Sequence, residues 1–391
     1  MTLPRSPSFV LLVALTMGNP LALNMFLPGL TEMAEEFGVT YARMSVSVGG
    51  YLAMTAVLAL VIGPLSDRIG RRPVTLGVAA IFTLASLVGA LAQDFTLFMA
   101  ARVAQAVVVG GFILASSIVR DTRSEDEIAP QLSHIASAMA IAPLVAPLLG
   151  GFVVDAFGWR AVFWIYVLLG IALVIAILIT LPETRTASTA SLADAARVLL
   201  VLPHFWTLVG VIACSVGGFF AFLAGTPLIA SAVYGLSSQV LGFALSSITI
   251  GFFFGTLISA RVTPRFGAMP VALFGRVVTV FGLGAGLPTT YLFPTEPLAL
   301  FLATIFIGIG NGFTIPNINA RILSLRPEFA GTAMGIASSA IVGTGAIVTT
   351  LGGYVVGQFP TATAFAVFLF AVSVLGLVLI LLARSQSKNM P

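Results

Sequence analysis

The sequence predicts an all-α polytopic membrane protein with twelve transmembrane helices in two six-helix halves. The chain has 391 residues, of which 59% are hydrophobic and only 8% are charged, whereas a soluble domain carries charge at about 25% of positions. The apolar residues gather into runs of about 20 residues, the length that a helix needs to cross a bilayer. A long polar stretch near the middle of the chain separates six such runs from six others. Lipid is therefore the solvent that this composition requires.

The apolar runs are continuous and lack the polar alternation of a barrel strand. Open strands cannot expose their backbone groups to lipid, so the runs are predicted to be helices. In chain order the predicted spans are Phe9–Gly29, Arg43–Gly63, Val74–Ala92, Thr96–Val119, Gln131–Val154, Ala161–Leu181, Phe205–Ile229, Val240–Ala260, Pro270–Tyr291, Pro297–Asn317, Gly331–Val356 and Thr363–Ala383.

The polar stretch predicts the domain organisation. We expect residues 1–182 to form the first half, residues 183–204 a cytoplasmic linker, and residues 205–391 the second half. Within the linker, Ser191 and Asp194 have the spacing of a capping box, which predicts a short helix on the inner membrane face.

The positions of the basic residues predict the topology. Cytoplasmic loops of membrane proteins carry an excess of arginine and lysine, and two cytoplasmic termini place nearly all of this chain's loop cations inside. Only Arg43 and Arg160 would lie at outer ends, while Arg102 and Arg276 fall within spans. This pattern explains the net charge of +4 without a nucleic-acid partner. The predicted inner residues are Arg5, Arg68, Arg71, Arg72, Arg120, Arg123, Arg185, Arg197, Arg261, Arg265, Arg321, Arg326, Arg384 and Lys388.

Several classes of function lack the residues that they need. Cys214 is the single cysteine, which excludes an intrachain disulfide and a cysteine metal site. No phosphate-binding loop, metal-ligand cluster or nucleophile–base pair stands out, so we expect neither an enzyme, a metal nor a cofactor. A membrane receptor or scaffold is the alternative class, although no sizeable soluble domain is present to signal with. A monomer is expected.

The segment Gly63–Arg72 concentrates charge between two apolar spans. Its glycines permit a tight turn, and Asp67 at a helix end can interact with exposed N–H groups of a neighbouring helix. A related segment, Ala260–Gly267, follows the eighth span, but Pro264 stands where Asp67 would. A generic positive-inside hairpin would explain the arginines. It would not explain the spacing of the glycines, the acid and the arginines.

This segment resembles the loop between the second and third helices of the major facilitator superfamily. The resemblance implies two halves that rock about a central site in the bacterial inner membrane. It also implies a conformational lock that includes Gly63, Asp67, Arg68, Gly70 and Arg71. In this lock Asp67 braces the two halves in the outward-facing state. Arg71 would pair with Asp121 at the inner end of the fourth helix.

The fifth span carries Pro143, Pro147, Gly150 and Gly151. Two prolines four residues apart remove two backbone donors and bend a helix, and small residues let a neighbouring helix come close. A packing kink without further meaning is the alternative. The segment is similar to the fifth-helix signature of drug:proton antiporters, and in particular to the bicyclomycin/chloramphenicol-resistance (Bcr/CflA) group. There the kinked helix is associated with the direction of exchange and with sealing against leak.

Arg102 and Gln105 lie in the fourth span. A buried arginine is a permanent cation, costly in a bilayer and usually turned towards the protein interior. A snorkelling arginine near the outer helix end is the alternative. The pair resembles the family pattern Arg-x-x-Gln-Gly, in which the arginine is tied to proton coupling, with protons as the coupling ions.

The first span departs from that pattern. Residues Pro20–Leu30 resemble the antiporter segment Pro-x-x-x-Asp-x-Tyr-Leu-Pro, but Asn24 replaces the acid and Phe26 the tyrosine. A proton carrier must titrate, and an asparagine cannot. An Arg102 without a carboxylate would suit an anionic substrate, or one that brings its own proton.

Few polar or aromatic side chains could line a cavity between the halves. Intramembrane amides are costly unless paired, and binding sites in such folds lie near the midplane. Interhelical hydrogen bonding and lipid-facing packing are the alternatives. The candidates for cavity and substrate contacts are Asn24, Tyr51, Arg102, Gln105, Phe219, Phe222 and Asn311.

Together these features predict a secondary-active transporter that works by alternating access on a small-molecule substrate within the lipid bilayer. The resemblance favours an exporter of small amphipathic compounds or drugs. The alternative is a specific carrier of an organic anion or metabolite, with Arg102 as its charge anchor.

Overall fold

A computed structural model describes residues 7–184, 200–325 and 330–388. Within these ranges the chain forms helices that we number in order. They are α1 Phe9–Glu36, α2 Tyr41–Ile69, α3 Arg71–Leu91, α4 Phe95–Thr122, α5 Glu125–Phe157, α6 Trp159–Thr180, α7 Pro203–Ala232, α8 Ser238–Phe266, α9 Ala268–Leu292, α10 Pro297–Leu325, α11 Ala330–Gln358 and α12 Ala362–Lys388. Short 3₁₀ segments interrupt α1 at Leu27–Gly29 and α4 at Ala106–Val109.

The predicted fold class is confirmed. In the described parts of the chain, eleven helices are long and apolar enough to cross a membrane, and Ile141–Phe157 of α5 is a shorter apolar helix. The start of α5 is polar because it begins with three acidic residues, Glu125 to Glu127. The domain boundaries stay predictions, and residues 185–199 of the predicted linker, with Ser191 and Asp194, lie outside the described residues.

Two antiparallel helix pairs join the first six helices to the last six. Helix α2 packs against α11, and α5 packs against α8. Small residues allow both contacts. A Cβ at Gly242 would lie 2.5 Å from the carbonyl oxygen of Pro147, and a Cβ at Gly357 would lie 2.9 Å from the Cβ of Ala42. Such small-residue contacts let transmembrane backbones approach closely.

The apolar core is continuous at one end of the bundle and divided at the other. We call the end that holds Phe9 and Gln386 the terminal end, and the opposite end the far end. At the far end one cluster includes buried residues of both halves, such as Tyr51 and Phe222. Towards the terminal end two separate clusters form, one around Leu114 in the first six helices and one around Ile318 in the last six. The halves therefore pack as one body at the far end and part towards the terminal end.

Candidate functional site

A cavity of about 330 Å³ lies between the two halves, on the terminal side of the shared core. Helix α5 supplies one wall, and α7, α8 and α10 supply the other. Its lining is apolar and aromatic except for Thr249 and Asn311. The lining residues are Met139, Pro143, Val216, Phe219, Phe220, Thr249, Phe252, Asn311 and Ile315.

Among the residues that the sequence singled out, Phe219, Asn311 and Pro143 lie on this lining. Phe222 lies one turn further along α7, where it is fully buried and its ring packs edge-on against Phe301. Sequence reasoning missed Met139, Val216, Phe220, Thr249, Phe252 and Ile315. Helical spacing could have identified some of these residues from the sequence. Val216 and Phe220 share a helix face with Phe219, and Ile315 lies four residues from Asn311.

Arg102 lies inside the first six helices rather than on the cavity lining. Its side chain is fully buried, so it does not snorkel. Its Nη1 donates to the carbonyl oxygen of Ala22 at 3.1 Å and to Oε1 of Gln105 at 2.6 Å. The guanidinium carbon lies 4.0 Å from the ring centre of Phe26 and 4.5 Å from that of Tyr51. Stacking of this kind stabilises a desolvated cation. The two aromatic rings therefore take the place of the carboxylate that usually pairs with a buried arginine.

Asn24 belongs to the same region of the first half. Its Nδ2 donates to the carbonyl oxygen of Pro20 in its own helix at 2.7 Å. Its buried Oδ1 has no hydrogen-bond partner among the described residues. Gln105 extends the Arg102 contacts by donating to Ser86 at 2.8 Å. The structure thus brings together Arg102, Gln105 and Tyr51, and it places Asn24 in α1 two residues beyond the carbonyl that Arg102 binds.

A second buried arginine, Arg276 of α9, lies behind the cavity wall. It is 1% exposed. Its Nε donates to Thr314 at 3.1 Å, and its Nη2 donates to Oδ1 of Asn311. Asn311 in turn donates to the carbonyl oxygen of Ser215 at 3.0 Å. The sequence placed Arg276 within a span but did not mark it as a site residue, although a permanent cation in an apolar run was the same signal that marked Arg102.

The residues that the sequence predicts to form a conformational lock lie at the terminal end of the first half. Arg71 binds Asp121 at 2.8 Å and Asp67 at 2.5 Å, and its side chain is 7% exposed, against 39% for Asp67. Helix α2 continues through Gly63 and Arg68 to Ile69, six residues beyond the predicted end, because Pro64 removes only one backbone donor. The turn itself is confined to Gly70, whose φ of 122° favours glycine.

Glu183 completes this cluster, although the sequence analysis placed it in the linker. Its carboxylate accepts the backbone N–H of Arg71 at 2.8 Å and that of Arg72 at 3.3 Å. A carboxylate at a helix N-terminus satisfies free donors and the positive end of the helix dipole. A Cβ at Gly70 would lie 2.6 Å from this carboxylate. These hydrogen bonds link the segment that follows α6 to the start of α3.

The two glycines of the predicted kink motif of α5, which consists of Pro143, Pro147, Gly150 and Gly151, lie at two different helix contacts. A Cβ at Gly150 would collide with the carbonyl oxygen of Met25 in α1. A Cβ at Gly151 would collide with the carbonyl oxygen of Ser238 in α8, across the two halves. The motif therefore lets α5 approach one helix of its own half and one of the other half at the same level.

Hydrogen bonds across the halves close the far end. The Tyr41 hydroxyl donates to the carbonyl oxygen of Ala224 at 2.5 Å, and Ser246 donates to that of Leu144 at 2.8 Å. Two further bonds join Thr31 to Ser231 and Ser238 to Glu32, both at 3.3 Å. Among the described residues, the hydrogen bonds that link the first six helices to the last six all lie in the far half of the bundle. The cavity is thus sealed on that side.

A twelve-helix bundle with a cavity between two halves is the architecture of the major facilitator superfamily, and the family's sequence model matches residues 12–348 and, a second time, residues 234–390. The chain belongs to this superfamily. The multidrug resistance protein MdtL of Escherichia coli O139:H28 is 30% identical over 349 residues, which cover 85% of this chain and 88% of that protein. MdtL of Shigella flexneri is 29% identical over 352 residues, with the same two shares.

Solved transporter structures share the fold of this superfamily member. A bacterial homologue of the human lysosomal transporter Spinster, in an inward-facing and occupied conformation, superposes with a TM-score of 0.77 at 17% identity. The match covers 96% of this chain and 94% of that one. A D-xylose–proton symporter superposes with a TM-score of 0.73 at 16% identity, over 96% of each chain. The protein is a secondary transporter of the bacterial inner membrane with a small-molecule substrate, and not an enzyme.

Proposed function

We propose that this transporter exports small amphipathic compounds by alternating access and belongs to the Bcr/CflA group of drug exporters. The observation that carries the proposal is the cavity, whose three phenylalanines and two polar side chains suit an apolar body with one polar group. The similarity to proteins named for multidrug resistance supports it. The fifth-helix motif is the main support for the subgroup.

The proposed orientation places both termini in the cytoplasm. The terminal end carries the exposed cations Arg68, Arg72 and Arg120, as the positive-inside rule requires. In this orientation the far end faces outward and is closed, so the described conformation faces inward. Asp67 contacts Arg71 within its own half here. Its role in bracing the two halves then belongs to the outward-facing state. We propose that the protein works as a monomer.

We propose that export does not use a proton site in α1. Asn24 cannot titrate, and Arg102 is surrounded by neutral groups and aromatic rings. An antiporter needs a group that binds a proton in one state and releases it in the other. Residue 24, where the related antiporters carry an acid, does not supply that group.

An organic-anion or metabolite carrier is the second candidate. The observation that favours it is the Arg102 side chain, whose buried Nε and Nη2 have no hydrogen-bond partner among the described residues. Unsatisfied guanidinium donors could bind a carboxylate that reaches this part of the first half.

Reconstitution separates these functions. Cells that lack or overproduce the protein are first screened for altered susceptibility to amphipathic compounds. The purified protein in liposomes should then move a neutral hit, and its flux should not change when a pH gradient is imposed. Proton movement together with substrate would contradict uncoupled export. Flux restricted to organic anions would favour the second candidate, and no flux of any compound would refute both.

A further inference from the structure

The cavity contains two polar side chains whose hydrogen-bonding capacity is incompletely used. Thr249 is 4% exposed and Asn311 is 2% exposed, and both lie on the cavity lining. The Thr249 hydroxyl has no hydrogen-bond partner among the described residues. Buried polar groups are nearly always satisfied, so an unpartnered hydroxyl on a cavity wall points to a partner that enters the cavity.

Close helix contact places these two side chains on one wall. Glycines on α10 flank Asn311 and touch the backbone of α8 on either side of it. A Cβ at Gly308 would collide with the carbonyl oxygen of Ile248, and a Cβ at Gly312 would lie 2.6 Å from that of Phe252. Thr249 follows Ile248 directly. The two backbones are therefore in contact at the level where both side chains meet the cavity.

Arg276 fixes the direction of the Asn311 amide. A guanidinium has only donors, so the amide oxygen must face Arg276 and the NH₂ group must point away from it. One N–H of that group donates to Ser215. The other has no partner among the described residues. Because the amide oxygen accepts from a cation, the amide is polarised and its remaining N–H is a stronger donor.

The charge of Arg276 is not neutralised nearby. Its hydrogen bonds go to Thr279, Asn311 and Thr314, and no described carboxylate pairs with it. Charge acts over longer distances in a low-dielectric interior than in water. The wall beside Asn311 therefore carries a positive potential, which favours an acceptor oxygen and opposes a second cation.

We propose that Thr249 and Asn311, supported by Arg276, form a subsite for the acceptor oxygen of the substrate. The oxygen belongs to a carbonyl or carboxylate group, and the aromatic body of the substrate packs among Phe219, Phe220 and Phe252. The cavity accepts neutral and anionic aromatic compounds and rejects cations of the same shape. This inference rests on the proposed function, because it assigns the polar contact within the cavity through which export would occur.

Three probes with one aromatic body test the subsite: 1-naphthaleneacetate, 1-naphthaleneacetamide and 1-naphthylmethylammonium. Binding to the purified full chain is measured by equilibrium dialysis. We expect the two carbonyl probes to bind at least about tenfold more tightly than the ammonium probe, the discrimination expected when hydrogen bonds are lost and a cation faces a positive wall. Thr249→Val removes the hydroxyl at constant shape, and it should weaken both carbonyl probes about three- to tenfold.

Matched variants control for structural damage. Thr256→Val removes a hydroxyl of α8 that bonds within its own helix and lies outside the cavity lining, so it should leave all three affinities unchanged. Arg276→Lys keeps the charge and should keep the preference, whereas Arg276→Met should reduce it. If Arg276→Met fails to fold, Thr249→Val still decides the question.

Equal affinity for the three probes, or an unchanged affinity in Thr249→Val, would overturn the subsite. So would a protein that exports other compounds but binds none of the three probes, and export itself would then stand. A protein that shows the expected preference but moves no compound in liposomes would retain the subsite and refute export.

Discussion

At the scale of single residues, each half buries one arginine without a carboxylate partner among the described residues. The two are accommodated differently. Arg102 is held by Ala22, Gln105 and two aromatic rings, whereas Arg276 is held by hydroxyls and the Asn311 amide. Cations inside a membrane protein are expensive and usually functional. Their neutral surroundings support the proposed transport cycle without an acid–base pair at these positions.

A carboxylate at residue 24 should introduce the missing titratable group. In Asn24→Asp, efflux of substrate from liposomes should carry protons inward, because a carboxylate can take up and release a proton where an amide cannot. A pH-sensitive dye in the lumen should therefore report acidification for the variant and none for the wild type. Asn24→Leu, which cannot titrate, is the control. Acidification by the wild type, or none by Asn24→Asp, would contradict this reading of residue 24.

The site residues that the sequence revealed differ in a physical way from those that it did not. Arg102, Asn311 and Pro143 are conspicuous because their residue types are costly inside a membrane helix. Thr249 and Glu183 are not, since a threonine is unremarkable in a helix and a glutamate is expected after one. Their roles come from contacts between helices far apart in sequence, such as Glu183 with the start of α3. No local pattern encodes those contacts.

At the scale of helices, the kink motif of α5 makes a stability prediction. Gly150→Ala places a methyl group against the carbonyl oxygen of Met25. Overpacking of this kind costs about 1–3 kcal/mol, so the apparent melting temperature of the purified protein should fall by several degrees. Gly77→Ala in α3 is the control, because no described atom outside the local helix backbone lies within 4 Å of its added Cβ. An unchanged melting temperature in Gly150→Ala would show that α1 and α5 can move apart at no cost in stability, which would contradict the prediction.

The lock at the ends of α2 and α4 predicts two separable effects. Asp121→Asn removes a buried partner of Arg71 and should destabilise the protein by about 1–3 kcal/mol, less than the loss of an entire buried pair because Asp67 remains. Asp67→Asn removes a more exposed partner, for which about 0–1 kcal/mol is expected. It should nevertheless lower the transport rate, because its proposed role lies in the outward-facing state. Melting curves and liposome flux measure the two effects. Wild-type flux in Asp67→Asn would refute the lock.

At the scale of the whole molecule, the division of the apolar core predicts how the two halves move in the proposed alternating access. One cluster joins the halves at the far end, while a separate cluster stabilises each half at the terminal end. The two terminal clusters can therefore move as units. To open the far end, the halves must separate the seams that α2 forms with α11 and α5 with α8. The glycine contacts of these seams and the Ser246–Leu144 bond between α8 and α5 involve neutral groups, as does the neighbouring Tyr41–Ala224 bond between α2 and α7. They can be broken without exposing a buried charge.

A covalent link across the far end should stop this movement. In a background without Cys214, cysteines at Ala42 and Gly357 would have their Cβ atoms about 2.9 Å apart, close enough to form a disulfide after a small outward shift. Oxidation with copper phenanthroline should abolish transport in liposomes, and dithiothreitol should restore it.

A pair at Ala56 and Gly343, in the middle of the same two helices, is the control. Its Cβ atoms lie 3.9 Å apart, and near the pivot of a rocking motion this separation changes little. The control pair should therefore form a disulfide and keep most of its transport. Full activity of the oxidised Ala42–Gly357 pair would show that the far end does not open, and the alternating-access mechanism proposed for this chain would fail.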